Sequence, residues 1–246
     1  MKGEIEHETD QSAHFWDKID DEIIRDRKPM KNAIVFGGSR GIGLATCDLL
    51  SSKDWNAIGL GRSDLNMESI SSIMMWYTKF IEDRSFPVDA IVFSHGEWFS
   101  KPIGDHRPTD YFSQYESRVL NPLRIISTLV NELKVASGSV TFVSSTRGFI
   151  GGVETGPYSL ACAAQIAMVQ GFAREYEGIR FNVCCPGLTD TSLGAEVIKT
   201  GGAKPGAPMN DPKVVAEIIV RLIEGEMNGK IIRVVDNKAT EANWTW

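Results

Sequence analysis

The sequence predicts a single α/β domain in which a parallel β-sheet is covered by helices on both faces. Short apolar segments alternate with helical segments from residue 31 onward, and this alternation is typical of parallel sheets. Each apolar segment has the length of a strand and is bounded by glycine, proline or polar residues. The 246 residues, with 42% hydrophobic content, suit one large domain better than two small ones.

The predicted elements follow one another in a regular order. Strands are expected at residues 32–36, 55–60, 88–93, 139–144, 179–185 and 230–235. Apolar residues at helical spacing predict helices at residues 44–52, 70–81, 110–134, 157–177 and 212–224. The order predicts a parallel sheet that is covered by helices on both faces.

Residues 1–30 form an acidic, polar extension ahead of the domain, which spans residues 31–246. Trp16, Ile19 and Ile23 recur at helical spacing, which predicts one short amphipathic helix over residues 14–27. A loosely docked extension is the alternative.

Composition excludes several classes of function. A net charge of −6 disfavours a nucleic-acid surface. No apolar run reaches the ~18 residues of a membrane span, and the N-terminus lacks the apolar stretch of a secretion signal, so we expect a cytoplasmic protein. The cysteines form no metal-binding spacing, and buried, reduced thiols are expected at Cys47, Cys162, Cys184 and Cys185.

A glycine-rich segment, GGSRGIG (37–43), lies between the first strand and the first helix. Glycine permits a tight turn and lets a ligand approach the backbone, and the following helix offers unpaired N–H groups to phosphates. This context predicts a dinucleotide-binding loop, with a merely structural turn as the alternative.

FGGSRGIG resembles the TGxxxGxG loop of the short-chain dehydrogenase/reductase family, with Phe36 at the usual threonine. Further family landmarks follow in order: Ser94-His95-Gly96 at the Asn-Ala-Gly position, then Asn121, Ser145, Tyr158 and PGLTDT (186–191). The resemblance covers about residues 31–236. It implies a Rossmann-type, doubly wound fold and a nicotinamide-dependent oxidoreductase that acts on a small carbonyl or alcohol as a homodimer or homotetramer.

The resemblance also implies which residues bind the cofactor. Leu188, through its backbone, and Thr191 are expected at the nicotinamide carboxamide, although Thr191 also suits a helix cap. The full expected set is Gly37, Ser39, Arg40, Gly41, Ile42, Gly43, Arg62, Asp64, Leu65, Ser94, His95, Gly96, Tyr158, Pro186, Gly187, Leu188 and Thr191.

The second predicted strand ends at Gly61 and Arg62, where NAD-preferring relatives carry an acidic residue. Arg40 and Arg62 together favour the 2′-phosphate of NADP(H) over NAD(H), because guanidinium binds phosphate in a bidentate way. Asp64 argues for NAD(H) as a ribose acceptor, but is expected instead in a third short strand, SDLN (63–66), near the adenine.

In the family's reaction a tyrosine transfers the proton, a serine holds the substrate oxygen and a lysine assists. The resemblance assigns the tyrosine to Tyr158 and the serine to Ser145, with Ser144 packing at the strand end. The lysine position is Cys162, and Gln165 occupies a variant spacing. A free tyrosine has a pKa near ~10 and is a poor base without a cation.

Asn121 matches the family asparagine that interrupts the central helix and supports a proton relay. Pro122 follows it, and proline removes a helical hydrogen bond and kinks the helix. A kink without chemistry is the alternative.

Two residues are candidates to replace the lysine: His95, near the cofactor ribose, and Arg147, close to Ser145. A loop histidine and a solvated arginine are the simpler interpretations. A nucleophilic role for Cys162 is disfavoured, since no neighbour in the sequence lowers its pKa.

The favoured function is an oxidoreductase with altered proton-transfer machinery. A cofactor-binding pseudoenzyme that acts as a regulatory or scaffold subunit is the alternative. Trp98, Phe99 and Phe149 are candidates for an apolar pocket, and the glycine- and proline-rich segment after Thr191 is typical of a mobile substrate lid.

Overall fold

The computed structural model describes residues 30–82 and 87–243 of the chain. The helix expected over residues 14–27 lies outside these ranges. The described residues from Lys31 onward form one unit, and the site described below is built from them.

Parallel strands form the centre of the sheet. β1 (Asn32–Phe36), β3 (Ala90–Phe93) and β4 (Ser139–Val143) are buried along their whole length, as expected of strands covered on both faces. They are flanked by β2 (Asn56–Leu60), β5 (Arg180–Pro186), β6 (Ile231–Val235) and β7 (Lys238–Glu241). The order β2-β1-β3-β4-β5-β6-β7 confirms the doubly wound α/β fold, since the chain leaves β1 first toward one side and then toward the other.

Helices cover the two faces of this sheet: α1 (Gly41–Ser51), α2 (Ile70–Glu82), α3 (Pro108–Tyr115), α4 (Asn121–Val135), α5 (Gly156–Glu175), α6 (Ser192–Lys199) and α7 (Pro212–Glu224). Neighbouring strand residues point to opposite faces. Phe36 therefore packs in one core with Leu129 of α4, while Val35 packs in the other with Leu50 of α1 and Ile219 of α7.

One expectation about local structure is wrong. The SDLN segment at Asp64 forms a turn instead of a short strand, because the Asp64 carboxylate accepts a hydrogen bond from the Gly61 N–H at 2.8 Å and closes the loop on itself. The segment after Thr191, whose composition is typical of a mobile lid, begins with helix α6.

The chain also contains a strand that the sequence pattern did not reveal. β7 pairs antiparallel with β6 and is exposed throughout, so it carries no apolar signal.

The long central helix is interrupted, as Pro122 indicated. A π-helical turn, Glu116–Leu120, joins α3 to α4, and the Asn121 N–H bonds to the Glu116 carbonyl five residues earlier. Such turns accommodate an extra residue in a helix and often occur at functional sites.

Candidate active site

A cavity of about 670 Å³ opens at the carboxyl ends of the parallel strands. Its walls include Gly37 after β1, Gly61 after β2, Ser94 after β3, Ser144 after β4 and Gly187 after β5. Ligands of doubly wound sheets bind at this edge, where the connections diverge. The volume lies within the roughly 300–1,000 Å³ of ligand pockets.

The turn between β1 and α1 leaves its backbone open to this cavity. Gly37 has a φ of +86°, and a Cβ there would lie 2.6 Å from the backbone nitrogen of His95. Arg40 is the N-cap of α1 but its side chain makes no capping bond, and the first turn of α1 carries no acidic residue. The N–H groups that begin α1 therefore suit a phosphate.

Most of the predicted residues line the cavity. They are Gly37, Ser39, Arg40, Gly41, Ile42, Arg62, Leu65, Ser94, His95, Gly96, Ser145, Tyr158, Pro186, Gly187, Leu188 and Thr191. Gly43, Asp64 and Asn121 do not. Gly43 packs beneath the loop, where a Cβ would overlap the Gly37 carbonyl.

Arg62 is paired with two carboxylates. Its guanidinium lies 2.7 Å from Glu68 and 2.5 Å from Glu97. Burial and the neighbouring Glu97 raise the pKa of Glu68, although Arg62 opposes the shift. Arg40 is exposed and takes part in none of the ion pairs found among the described residues. The two arginines that favoured NADP(H) are therefore not equivalent.

Thr191 is a helix cap in this structure, because its Oγ1 accepts the Gly194 N–H at 3.1 Å at the start of α6. Its methyl carbon lies 3.1 Å from where a Cβ of Gly41 would stand. Leu188 has its carbonyl engaged by the Asn210 N–H at 2.8 Å. Both residues still border the cavity.

Ser145 and Tyr158 meet at the cavity wall. Ser145 follows β4, and its Oγ accepts the Arg147 N–H at 3.2 Å. Tyr158 lies in the first turn of α5 and is 6% exposed. Burial, followed by the nearby Cys162, raises the pKa of Tyr158 to about 12, while Arg118 and a hydrogen bond with Ser145 act in the opposite direction.

Cys162 is fully buried one turn after Tyr158. Burial raises the pKa of its thiol despite Arg118, Ser144 and Tyr158, which lower it. The Ser144 hydroxyl donates to the Cys162 carbonyl at 2.9 Å. Cys162 is a neutral, packed thiol, which agrees with the expectation that it is not a nucleophile.

Both residues proposed as substitutes for a lysine make hydrogen bonds to backbone carbonyls. The His95 Nε2–H donates to the Ser117 carbonyl at 2.8 Å, and burial, with a further contribution from Arg118, lowers the pKa of His95 to about 4. His95 is therefore neutral near pH 7. The Arg147 guanidinium donates to the Gly202 carbonyl at 3.0 Å.

Asn121 is fully buried and anchors the start of α4. Its amide nitrogen donates to the Met67 carbonyl at 2.7 Å, and its oxygen accepts from Arg124. The Ser117 carbonyl loses its usual helical partner because the Asn121 N–H bonds the Glu116 carbonyl instead, and the Arg118 carbonyl loses its partner because Pro122 has no N–H. His95 bonds the first, and the Gln165 amide bonds the second at 3.0 Å.

The sequence matches the short chain dehydrogenase family over residues 70–201, which is more than half of the chain. The protein belongs to the short-chain dehydrogenase family. It is accordingly a nicotinamide-dependent oxidoreductase of the short-chain type.

Curated relatives and solved structures resemble this short-chain dehydrogenase across most of its length. The 3-oxoacyl-(acyl-carrier-protein) reductase FabG of Vibrio cholerae is 24% identical over 225 residues, which cover 80% of this chain and 91% of the relative. The structure of ElxO with NADP bound has a TM-score of 0.71 at 18% identity and covers 83% of this chain and 96% of its own. A small-chain dehydrogenase in complex with NADPH has a TM-score of 0.71 at 21% identity, with coverages of 85% and 97%.

Of the three aromatic residues expected to line an apolar pocket in this short-chain dehydrogenase, one does so. Trp98 lines the cavity, but Phe99 and Phe149 do not. The Trp98 ring contacts the Tyr158 ring edge-on, with centroids 5.0 Å apart. Its indole N–H donates to Thr200 Oγ1 at 2.8 Å.

Sequence reasoning missed Arg118, which belongs to the π-helical turn. This arginine is 3% exposed, and its guanidinium carbon lies 4.6 Å from the centroid of the Tyr158 ring. The sequence gives one sign that Arg118 is buried: it lies three residues before Asn121 and is followed by the apolar Val119 and Leu120. The contact is not visible in the sequence because Arg118 and Tyr158 are 40 positions apart.

The four cysteines are free and buried. Within residues 30–82 and 87–243, no group of three or more histidine, cysteine or acidic residues is arranged to hold a metal ion. The helices of that same part of the chain are too short or too polar to cross a membrane.

Proposed function

We propose that this short-chain dehydrogenase is an NADP(H)-dependent reductase of a small carbonyl substrate, reversible toward the alcohol. The observation that carries the proposal is that Ser145 and Tyr158 share one cavity with the glycine-rich turn. A substrate oxygen held by the Ser145 and Tyr158 hydroxyls would lie beside a dinucleotide whose phosphates bind the start of α1.

The nicotinamide, when bound, supplies the hydride. Tyr158 supplies the proton: its O–H bond breaks as the substrate oxygen gains the hydrogen, which leaves a phenolate. A phenol with a pKa of about 12 is protonated near neutral pH and suits this role as an acid. In its resting state Tyr158 is therefore ready for the reduction of a carbonyl. Asn121 contributes to the site indirectly, because its hydrogen bond to the Met67 carbonyl holds the interrupted helix in place.

The preference for NADP(H) rests mainly on Arg40. This exposed guanidinium stands at the cavity beside the start of α1. The residue that ends β2 is followed by Gly61 instead of an acid, and the Asp64 carboxylate is occupied by the Gly61 N–H. The NADP and NADPH ligands named for two structures of the same fold agree with this preference.

A cofactor-binding pseudoenzyme is the second candidate function. The fully buried, neutral Cys162 at the position of the assisting lysine favours it. In that case the cavity would bind NADPH without turning over a carbonyl.

Fluorescence titration with NADPH and NADH, read from tryptophan quenching, tests the cofactor. Oxidation of NADPH with ethyl acetoacetate and 9,10-phenanthrenequinone as carbonyl probes tests the chemistry. Tyr158→Phe is expected to lower kcat by about 10²–10⁴-fold with an unchanged Kd for NADPH. Turnover that Tyr158→Phe leaves intact would contradict the role of Tyr158 as the proton donor, and binding without turnover would favour the pseudoenzyme.

A further inference from the structure

We propose that Arg118 is the cation that supports proton transfer by Tyr158 in place of the missing lysine. This inference rests on the proposed function, because it concerns the same tyrosine. The role is one of positioning and charge stabilisation: the guanidinium acts on the phenol by lying across its ring.

The geometry around Arg118 fixes the guanidinium on the ring. Its Nε–H donates to Gln114 Oε1 at 3.1 Å, and its Nη2–H donates to the Glu97 carbonyl at 3.0 Å. The Arg118 carbonyl is itself held by the Gln165 amide at 3.0 Å. With both ends of the residue bonded, little side-chain freedom remains to be lost during the reaction.

The loop after β3 leaves room for this guanidinium. Gly96 has a φ of +154°, and a Cβ at this position would overlap the terminal atoms of Arg118. Two features therefore favour glycine at position 96: a side chain would overlap the guanidinium, and the backbone has a positive φ. The loop that makes room for Arg118 belongs to a different segment of the chain from Arg118 itself.

Arg118 is buried, yet no carboxylate among the described residues neutralises its charge. None of the ion pairs among the described residues includes it, and its hydrogen-bond partners are a neutral amide and a backbone carbonyl. Buried arginines are normally paired with carboxylates, since an unpaired buried charge is unfavourable. A guanidinium kept free of carboxylates retains its full field for a neighbouring group that becomes negative.

The group that becomes negative is Tyr158. The titratable or charged groups that act on it are Arg118 from the π-helical turn and Cys162 from its own helix. His95, which is adjacent to Arg118, is neutral, and the Glu97 carboxylate is paired with Arg62. Arg118 is therefore the cation that offsets the phenolate left when Tyr158 gives up its proton.

The test compares Arg118→Met with Arg118→Lys, and uses Arg174→Met as a control at an exposed arginine of α5. We expect Arg118→Met to lower kcat for ethyl acetoacetate at least tenfold, with less than a threefold change in the Kd for NADPH. Arg118→Lys should recover part of the loss, since it restores a positive charge, and Arg174→Met should match the parent protein.

A second readout does not depend on turnover. A fluorinated tyrosine placed at position 158 has a more acidic phenol, so its ionisation can be followed by absorbance while the protein is folded. Arg118→Met should raise the midpoint of this titration by about one pH unit or more, and Arg118→Lys should not. An unchanged midpoint in Arg118→Met would overturn the inference, as would an unchanged kcat in a protein whose turnover depends on Tyr158.

The outcomes separate this inference from the proposed function. Turnover that depends on Tyr158 but not on Arg118 refutes the role of Arg118 and leaves the reductase standing. Absence of turnover refutes the reductase, whereas a shifted midpoint still upholds Arg118 as the cation for Tyr158. If Arg118→Met does not fold, Arg118→Gln, which keeps an N–H for the Glu97 carbonyl, replaces it in both measurements with the same expected direction.

Discussion

The glycine-loop region (residues 37–43 and 61–65) and the tyrosine region (Trp98, Arg118, Ser145, Tyr158 and Cys162) border the same cavity but are built differently. The first presents mostly backbone: a left-handed glycine and the open N–H groups of α1. The second is a set of side chains from four distant segments that enclose one phenol. Local sequence determines the first, and tertiary packing determines the second.

This difference has a consequence for tolerance to substitution. A backbone site requires small residues at fixed spacing, so its pattern persists in the sequence. A side-chain site can take its charge from any segment that reaches the same place. The π-helical turn can thus supply a charge to Tyr158 that Cys162 does not carry, since the phenol responds to the charge and not to the helix that carries it.

His95 connects the two regions and should make their stability depend on pH. Its backbone abuts Gly37, and its ring donates to the Ser117 carbonyl. The pKa of His95 is about 4 in the folded protein, against 6.5 for an unperturbed histidine. As the pH falls from 6.5 to 4, the imidazole is therefore protonated in the unfolded chain but not in the folded one. The free energy of unfolding should therefore decrease by about 3 kcal/mol between pH 7.5 and pH 4 on account of this group.

Urea denaturation at a series of pH values measures this dependence. His95→Gln, which retains an N–H donor but does not titrate, should remove the contribution of His95 to the pH dependence of the free energy of unfolding. His106→Gln, at a histidine away from the cavity lining, is the matched control and should leave that pH dependence unchanged. Equal pH dependence in the parent and His95→Gln proteins would show that folding does not shift the pKa of His95.

Most of the fold could be predicted from the sequence, because its strands are short apolar runs with clear boundaries. Residues 32–36 and 212–224 begin and end as predicted. β7 could not be predicted, since all its residues are exposed. In the site, the residues near Gly37 could be predicted from the local glycine pattern. The contact of Arg118 with Tyr158 could not, because it depends on the π-helical turn and the tertiary packing around it.

Arg40 offers the most direct test of the glycine-loop region. Because this guanidinium is exposed and unpaired among the described residues, Arg40→Ala should weaken NADPH binding about tenfold, as expected for a charge-assisted contact to phosphate. NADH lacks that phosphate, and its Kd should change less than twofold. Fluorescence titration of both nucleotides measures the ratio, and an equal loss for the two would assign Arg40 to another part of the cofactor.

The smallest effect is expected at Glu97, which competes for Arg62 at the junction of the two regions. The Arg62 and Glu97 side chains are 61% and 47% exposed, and such surface pairs contribute about 0–1 kcal/mol. Glu97→Gln should therefore strengthen NADPH binding by only about two- to fivefold. The paired variant Glu97→Gln/Arg62→Ala should lose this gain; if it keeps the gain, Arg62 does not contact the nucleotide.

The bond from the Trp98 indole to Thr200 ties the segment after α6 mechanically to the tyrosine. A second bond, from Arg147 to the Gly202 carbonyl, fastens the same segment near Ser145, and Gly202 leaves space for the indole ring. Displacement of residues 200–202 would break both bonds and release the Trp98 indole that contacts the Tyr158 ring. The position of the proton donor is therefore coupled mechanically to a segment about 40 residues further along the chain.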